Sequence, residues 1–309
     1  MEREAEEKNF DEIYNAIYES SSEKLKEAKR KKNGLILKVL CVCIIINIVL
    51  FCLIEAKVIV AGTIALSFCL IMILSVVGRQ SYGILYKTSV IQELIKQYND
   101  KLYYSQKIGI TQTEFRMSNF DKSFDRYHSE DRIYGTLKSG ANIQVAEIAT
   151  YRKEETTDSN GNKTTTETET YRGMYGIARL SKNICTKIYI SDDSMFNRFS
   201  KYRVEVDSAE FEKYFDCSSE DRITAMRIFT SDLIEKYIDI MKRYKYKLEL
   251  RIIDDKIFFR YKCGQLFEPP TFGDDLDKKI IKRYYDMIVY PLEIIEQTVE
   301  NINYIVDEN

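Results

Sequence analysis

The sequence predicts an α+β protein: an N-terminal two-helix transmembrane hairpin, a helical stalk, then a cytoplasmic mixed domain with antiparallel hairpins, two central helices and a long C-terminal helix. Three observations predict it. Two apolar runs of 20 residues, Leu35–Ile54 and Val58–Val77, stand back to back with only Glu55, Ala56 and Lys57 between them. From about Ile108, apolar residues alternate with polar ones between turn signals, the period of half-buried strands. Near the C-terminus, Ile280, Ile281, Tyr284, Ile288, Leu292, Ile295, Val299 and Ile302 return to helical spacing.

Residues 1–33 read as a charged cytoplasmic helix. Phe10, Ile13, Tyr14 and Ile17 fall at i, i+3, i+4 and i+7, one stripe of a helix, and Ser20-Ser21-Ser22 is placed to break or recap it. The stripe is expected to pack on another cytoplasmic helix. Lying on the lipid surface is the rival reading; the many Glu residues opposite the stripe oppose it, because anionic headgroups repel them.

Residues 34–78 hold the hairpin. As a helix each apolar run rises about 30 Å, the thickness of a bilayer's hydrocarbon core. Lys26, Lys29, Arg30, Lys31 and Lys32 precede the first run, and Arg79 and Lys87 follow the second, whereas the turn offers one Glu and one Lys. Short Lys/Arg-rich segments stay on the cytoplasmic side, so a multi-pass protein of the cell membrane with both termini cytoplasmic is expected. A cleaved signal peptide fits poorly, since its apolar core would be shorter and nearer Met1. A hairpin that dips in without crossing stays open, because the turn is tight. Lys38 can snorkel to the interface. Mid-span Asn47 is expected to hydrogen-bond across to the second helix. Of seven cysteines, Cys41, Cys43, Cys52 and Cys69 lie in the spans as small apolar residues, and Cys185, Cys217 and Cys263 are scattered singly with no CxxC pair.

Residues 79–107 continue as a stalk, helical from Tyr82 to Tyr104, with Leu85, Ile91, Leu94, Ile95, Tyr98 and Leu102 on its apolar face. Tyr82 and Tyr86 are expected at the lipid–water boundary, which favours aromatic rings.

Residues 108–309, roughly 200 residues, suffice for one α+β core. Ile133, Gly135 and Leu137 form a strand, Ser139-Gly140 turns the chain, and a strand from Ile143 to about Arg152 answers it. The Thr-rich insert of residues 154–169 is a mobile loop or the tip of a long hairpin. Strands resume at Thr170–Leu180, Thr186–Ser191 and Tyr202–Asp207. Helices follow over Asp221–Phe229 and from Thr230 or Ser231 through Met241. Leu248, Leu250 and Ile252, then Asp254-Asp255, then Ile257, Phe259 and Tyr261 make the clearest hairpin. Pro269-Pro270 ends the strand region. A helix closes the chain from about Leu276 to Val306, and Pro291 kinks or splits it.

Certain short motifs set a family. Phe124-Asp125-Arg126-Tyr127, Gly135, Tyr171-Arg172-Gly173-Met174-Tyr175, Phe211-Glu212-Lys213-Tyr214-Phe215, then Asp221, Ala225 and Thr230, and finally Leu266-Phe267-Glu268-Pro269 stand in order along the chain. Through them roughly Phe120–Ile295 resembles an uncharacterised bacterial membrane-protein family, domain of unknown function 3137. The resemblance implies an integral membrane protein of the bacterial inner membrane with a cytoplasmic α+β domain. It implies no activity, ligand or catalytic residue.

Candidate chemistry is sparse. His128, the only histidine, lies in a polar Tyr127–Asp131 segment that reads as a solvated turn. The carboxylate clusters at Asp192-Asp193, Asp254-Asp255 and Asp274-Asp275 with Asp277 could hold a cation or share a proton, but they read as a strand end, a hairpin turn and a helix N-terminus. No GxxxxGK[ST] or GxGxxG loop is present. Tyr171–Gly176 sits in a strand pattern, where glycine marks a bulge or close packing. Twenty-three tyrosines and no tryptophan accompany a net charge of −2, and with no dominant basic patch nucleic acid is not an expected partner. Asn162-Lys163-Thr164 matches a glycosylation sequon that a cytoplasmic loop would not use. The expected function is therefore non-catalytic. The hairpin anchors the α+β domain in the lipid bilayer, and the domain binds a protein partner or its own copies, with no catalytic, cofactor-binding or metal residue assigned. The alternative is a membrane-tethered enzyme or ligand sensor with a carboxylate/tyrosine site.

Overall fold

The computed structural model describes residues 2–53, 57–121, 123–157, 163–181, 183–192, 201–244, 247–270 and 273–307. The Glu55-Ala56 turn, Asp193, Asn162 of the sequon and the tip of the Thr-rich insert lie outside the described residues. The chain divides into two compact units, Met1–Leu94 with Glu268–Ile281, and Ile95–Phe267 with Lys282–Asn309.

The first unit is built on α1 (Glu2–Leu53) and α2 (Lys57–Tyr86). α2 runs into a π-helical turn at Lys87–Ile91, which leads to α3 (Gln92–Tyr98). The serine run does not interrupt α1. Ser20 Oγ donates to Ile17 O at 3.1 Å, and Ser21 Oγ reaches Ser89 O at 2.9 Å, so the hydroxyls bond without competing for a cap. The polar half packs as its stripe predicts: Phe10, Ile13 and Ile17 are buried, and Tyr14 Oη donates to Leu276 O at 3.0 Å. Tyr82 and Tyr86 correct an expectation. Both are buried within the unit and not at its rim, and Tyr82 Oη donates to Asp275 Oδ2 at 2.6 Å, an oxygen that also accepts from Lys29 Nζ at 2.8 Å.

The apolar halves of α1 and α2 are long and apolar enough to cross a membrane, and 6% of each apolar window is buried. Asn47 bonds across to α2: its Nδ2 donates to Ser67 Oγ at 3.0 Å, and its Oδ1 accepts from Thr63 Oγ1 at 2.8 Å.

In the second unit the predicted stalk helix stops at Tyr98. Asn99 turns the chain, its Oδ1 accepting from Lys101 N at 2.9 Å, and Leu102 starts a strand. The described strands form one nine-stranded sheet, ordered β1-β2-β3-β4-β9-β8-β5-β7-β6. They are β1 (Leu102–Ser105), β2 (Arg126–Thr136), β3 (Asn142–Thr157), β4 (Lys163–Arg179), β5 (Lys187–Asp192), β6 (Arg203–Val204), β7 (Phe215–Ser219), β8 (Glu249–Ile253) and β9 (Lys256–Lys262). Every described pairing is antiparallel. The Ser139-Gly140 and Asp254-Asp255 turns are where the sequence puts them, and β3 and β4 stay paired into the Thr-rich insert as far as Thr157 opposite Lys163. Strand β7 and helix α4 (Gln112–Met117) were not expected. α4 begins with a capping box, Thr111 and Glu114 each satisfying the other's backbone N–H.

Helices cover both faces of the sheet. On one face α4 and the following segment bring Phe115, Phe120 and Phe124 against Ile148, Tyr175, Ile177 and Phe258. The other face meets α6 (Ser231–Tyr244) and α7 (Lys278–Asp307): Phe215 lies 5.7 Å from Tyr237, and Tyr261 lies 5.5 Å from Tyr290, ring centre to ring centre. Asp221 and Thr230 cap α5 (Arg222–Ile228) and α6. Pro291 does not split α7, which stays one helix of 30 residues. Proline has no N–H to return to the carbonyl four residues earlier, that of Met287. The Tyr261 hydroxyl donates to that carbonyl instead.

Candidate functional site

The strongest concentration of chemistry in the described residues is on β2 and β3. Their register sets Glu130 opposite Glu147. Directly paired residues share a face, so the two carboxylates project together. A bulge follows between Glu130 and Ile133, with Asp131 in the left-handed region at φ 56°. A bulge re-aims side chains, and here it sends Asp131 inward, where it is 1% exposed. The Asp131 N–H donates to Gln106 O at 3.0 Å, and Tyr104 Oη donates to its Oδ1.

Glu147 is fully buried. Its Oε1 accepts from Arg172 Nη1 at 2.7 Å, and its Oε2 accepts from Leu266 N at 2.7 Å. Arg172, on neighbouring β4, also donates to Tyr151 Oη at 2.6 Å and to Glu169 Oε2 at 2.7 Å. One carboxylate oxygen from each of Glu130, Asp131 and Glu147 lies within 4.8 Å of the others. Burial pushes the Glu147 pKa up, and the Asp131 charge adds to the rise. The Leu266 N–H and the Arg172 guanidinium pull it down without cancelling it.

Three carboxylates so close repel by about 3 kcal/mol per ionised pair at an effective dielectric of about 20. Arg172 supplies one positive charge. A bound proton or a cation would lessen the repulsion further. Each carboxylate has about four lone-pair sites, so the two bonds that hold Glu147 leave capacity for a ligand. Oxygen-only donors of this kind suit a hard divalent cation.

The residues singled out in the sequence are elsewhere. His128 corrects an expectation: it lies inside strand β2 and not in a turn, half-exposed, with Nε2 3.8 Å from Glu130 Oε2. Asp254 and Asp255 form the β8–β9 turn, and Asp277 caps α7 by accepting from Lys279 N at 2.8 Å. Asp275 is tied to Tyr82 and Lys29. Gly173 and Gly176 mark close packing: a Cβ on Gly173 would come within 2.3 Å of Tyr261 O, and one on Gly176 within 2.1 Å of the Phe259 ring. Burial raises the Cys217 and Cys263 thiols to about 12, which keeps them protonated. The Glu130–Asp131–Glu147 grouping went unread, although a signal existed. A hairpin centred on Ser139-Gly140 already places residue 130 near residue 147.

No curated protein and no solved structure matches this chain. The resemblance drawn from about Phe120 is narrower than expected: Phe124–Tyr127, Gly135, Glu130, Asp131 and Glu147 precede the matched segment, which contains Arg172. Residues 169–298, from the apolar half of β4 into α7, match the family DUF3137, protein of unknown function.

Proposed function

We propose that the chain is a membrane-anchored ligand-binding protein. Its apolar hairpin crosses the bilayer twice with both termini in the cytoplasm, and its sheet domain binds a hard divalent cation at Glu130, Asp131 and Glu147. No catalytic step is assigned to it. The observation that carries the binding site is the convergence of three carboxylates, two of them buried. This favours a ligand site over the bare scaffold expected from sequence. Anchoring is supported by the exposure of apolar side chains such as Ile45, Phe51, Leu66 and Phe68, a surface that water disfavours and lipid accepts. The basic residues flanking the hairpin support its orientation.

Two experiments test the reading. Purified full chain, stripped with a chelator in mild detergent, is titrated with Ca²⁺ and with Mg²⁺ by calorimetry. Saturable binding that is lost in Glu130→Gln and Asp131→Asn supports the site; absence of heat for both cations, or unchanged binding in both variants, rejects it. For topology, exposed Cys185 is a reporter on the sheet domain. A membrane-impermeant maleimide is expected to label it in inverted vesicles and not in intact cells; the opposite pattern overturns the orientation.

A further inference from the structure

Toward the β6 edge of the sheet, strands β8, β5 and β7 are neighbours. Register places Arg251 opposite Tyr189 and Tyr189 opposite Ser218, so the three side chains form one row on one face. Ser191, two residues along β5, shares that face. It is the face covered by α4, opposite to the one that carries Glu147. Arg116 from α4 joins the row in lining a cavity of about 640 Å³. This volume suits a small organic ligand.

The cavity is cationic. Among the described lining residues the one carboxylate is Asp121, which accepts from Arg260 Nη1 at 3.1 Å and from Thr150 Oγ1 at 3.4 Å. Arg260 is shared with Glu249, bonded at 3.0 and 3.2 Å, so Arg116, Arg251 and Arg260 with these two carboxylates leave a net charge of +1, Arg116 and Arg251 being the guanidinium groups that line the cavity. The Arg251 guanidinium is held in place from below, 4.5 Å from the Phe120 ring centre and 5.4 Å from that of Tyr189, with Nη1 donating to Ser118 O at 2.9 Å. Packing of this kind fixes the guanidinium plane before a ligand arrives, which reduces the entropy lost on binding. Arg116 is steadied over Phe124, 4.3 Å from its centre.

We infer that this cavity is a binding site for the phosphoryl group of a small molecule or lipid headgroup, separate from the carboxylate cluster. Two guanidinium groups with the hydroxyls of Tyr189, Ser191 and Ser218 match a group bearing nearly two negative charges and three acceptor oxygens. A carboxylate, with one charge and two oxygens, uses less of the donor set. The absence of a glycine-rich loop is no obstacle, since side chains on strands supply the donors here and backbone N–H groups are not needed.

Full chain in mild detergent is titrated with inorganic phosphate at constant ionic strength, followed by ³¹P line broadening and calorimetry. Saturable binding is expected, weakened by about tenfold or more in Arg251→Gln, where a charge-assisted pair is lost. Because Arg251 packs on Phe120, Arg116→Ala, an exposed position, serves as the variant that leaves the fold intact, and it too is expected to weaken binding several-fold. Glu147→Gln is expected to leave phosphate binding unchanged, which separates this site from the cation site. Non-saturable binding, or equal affinity in wild type and Arg116→Ala, overturns the inference. Repeating the titration in phosphatidylcholine nanodiscs with and without phosphatidic acid identifies the source. Competition by the acidic lipid assigns a headgroup, and no competition assigns a soluble phosphate ester.

Discussion

Tyr261→Phe isolates how α7 carries a proline in its interior. Pro291 leaves the Met287 carbonyl without its helical donor, and the Tyr261 hydroxyl takes that place. Both residues are buried, so water does not substitute once the hydroxyl is removed. An unsatisfied buried carbonyl costs about 1–3 kcal/mol, and that is the expected loss in Tyr261→Phe. In a Pro291→Ala background the restored N–H serves Met287, so the same substitution is expected to cost about 1 kcal/mol or less. Guanidinium unfolding of full chain in mild detergent measures all four corners of the cycle. The chain lacks tryptophan, so near-ultraviolet circular dichroism of its tyrosines is the probe. An equal cost in both backgrounds, or no cost in either, refutes the argument.

Other consequences follow from the same packing. Gly173→Ala would place a Cβ 2.3 Å from the Tyr261 carbonyl oxygen, and strand β4 must shift against β9; a loss of about 1–3 kcal/mol or more in the same unfolding assay is expected. Asp221→Ala removes the cap of α5, costing about 1 kcal/mol at neutral pH. The Asp221 pKa is depressed below 3.8, first by the Thr224 hydroxyl and then by the Thr224 N–H. Its stabilisation is therefore present above that value and fades as pH falls through the depressed pKa, so the gap between wild type and Asp221→Ala closes in acid whereas Asp221→Asn shows no such dependence. Glu296 holds the β2–β3 turn with both oxygens, accepting from Ser139 N and Ser139 Oγ at 2.9 Å each; Glu296→Ala is expected to cost about 1–3 kcal/mol and to speed amide exchange at Ser139.

Where periodicity and turn chemistry agreed, the sequence was readable. The β8–β9 hairpin, the Asn47 link and the long C-terminal helix all follow from spacing. Strand β7 escaped notice because the alternation in Phe215-Asp216-Cys217-Ser218-Ser219 has only two apolar members, Phe215 and Cys217; these face the core with Ser219, and Ser218 faces the cavity. α4 is 6 residues long, too short for a periodic stripe, though its capping box was in plain view. Tyr82 and Tyr86 resemble interfacial aromatics by composition, and only a partner 193 residues away in sequence, Asp275, reveals Tyr82 as interior. The candidate site was hidden for the same reason. Glu130, Asp131 and Glu147 converge through strand register and one bulge, and neither property belongs to any single segment.

The unbroken course of α1 over 52 residues has a mechanical corollary. A continuous helix has no swivel between its apolar end, proposed above to sit in lipid, and its polar end. Residues 2–34 reach about 50 Å at 1.5 Å per residue, so leaning the apolar end by about 10° sweeps the far tip through about 9 Å. On the proposed anchoring, bilayer thinning, which makes a long apolar helix lean, would carry the Phe10–Ile17 stripe and the residues packed on it along with the helix.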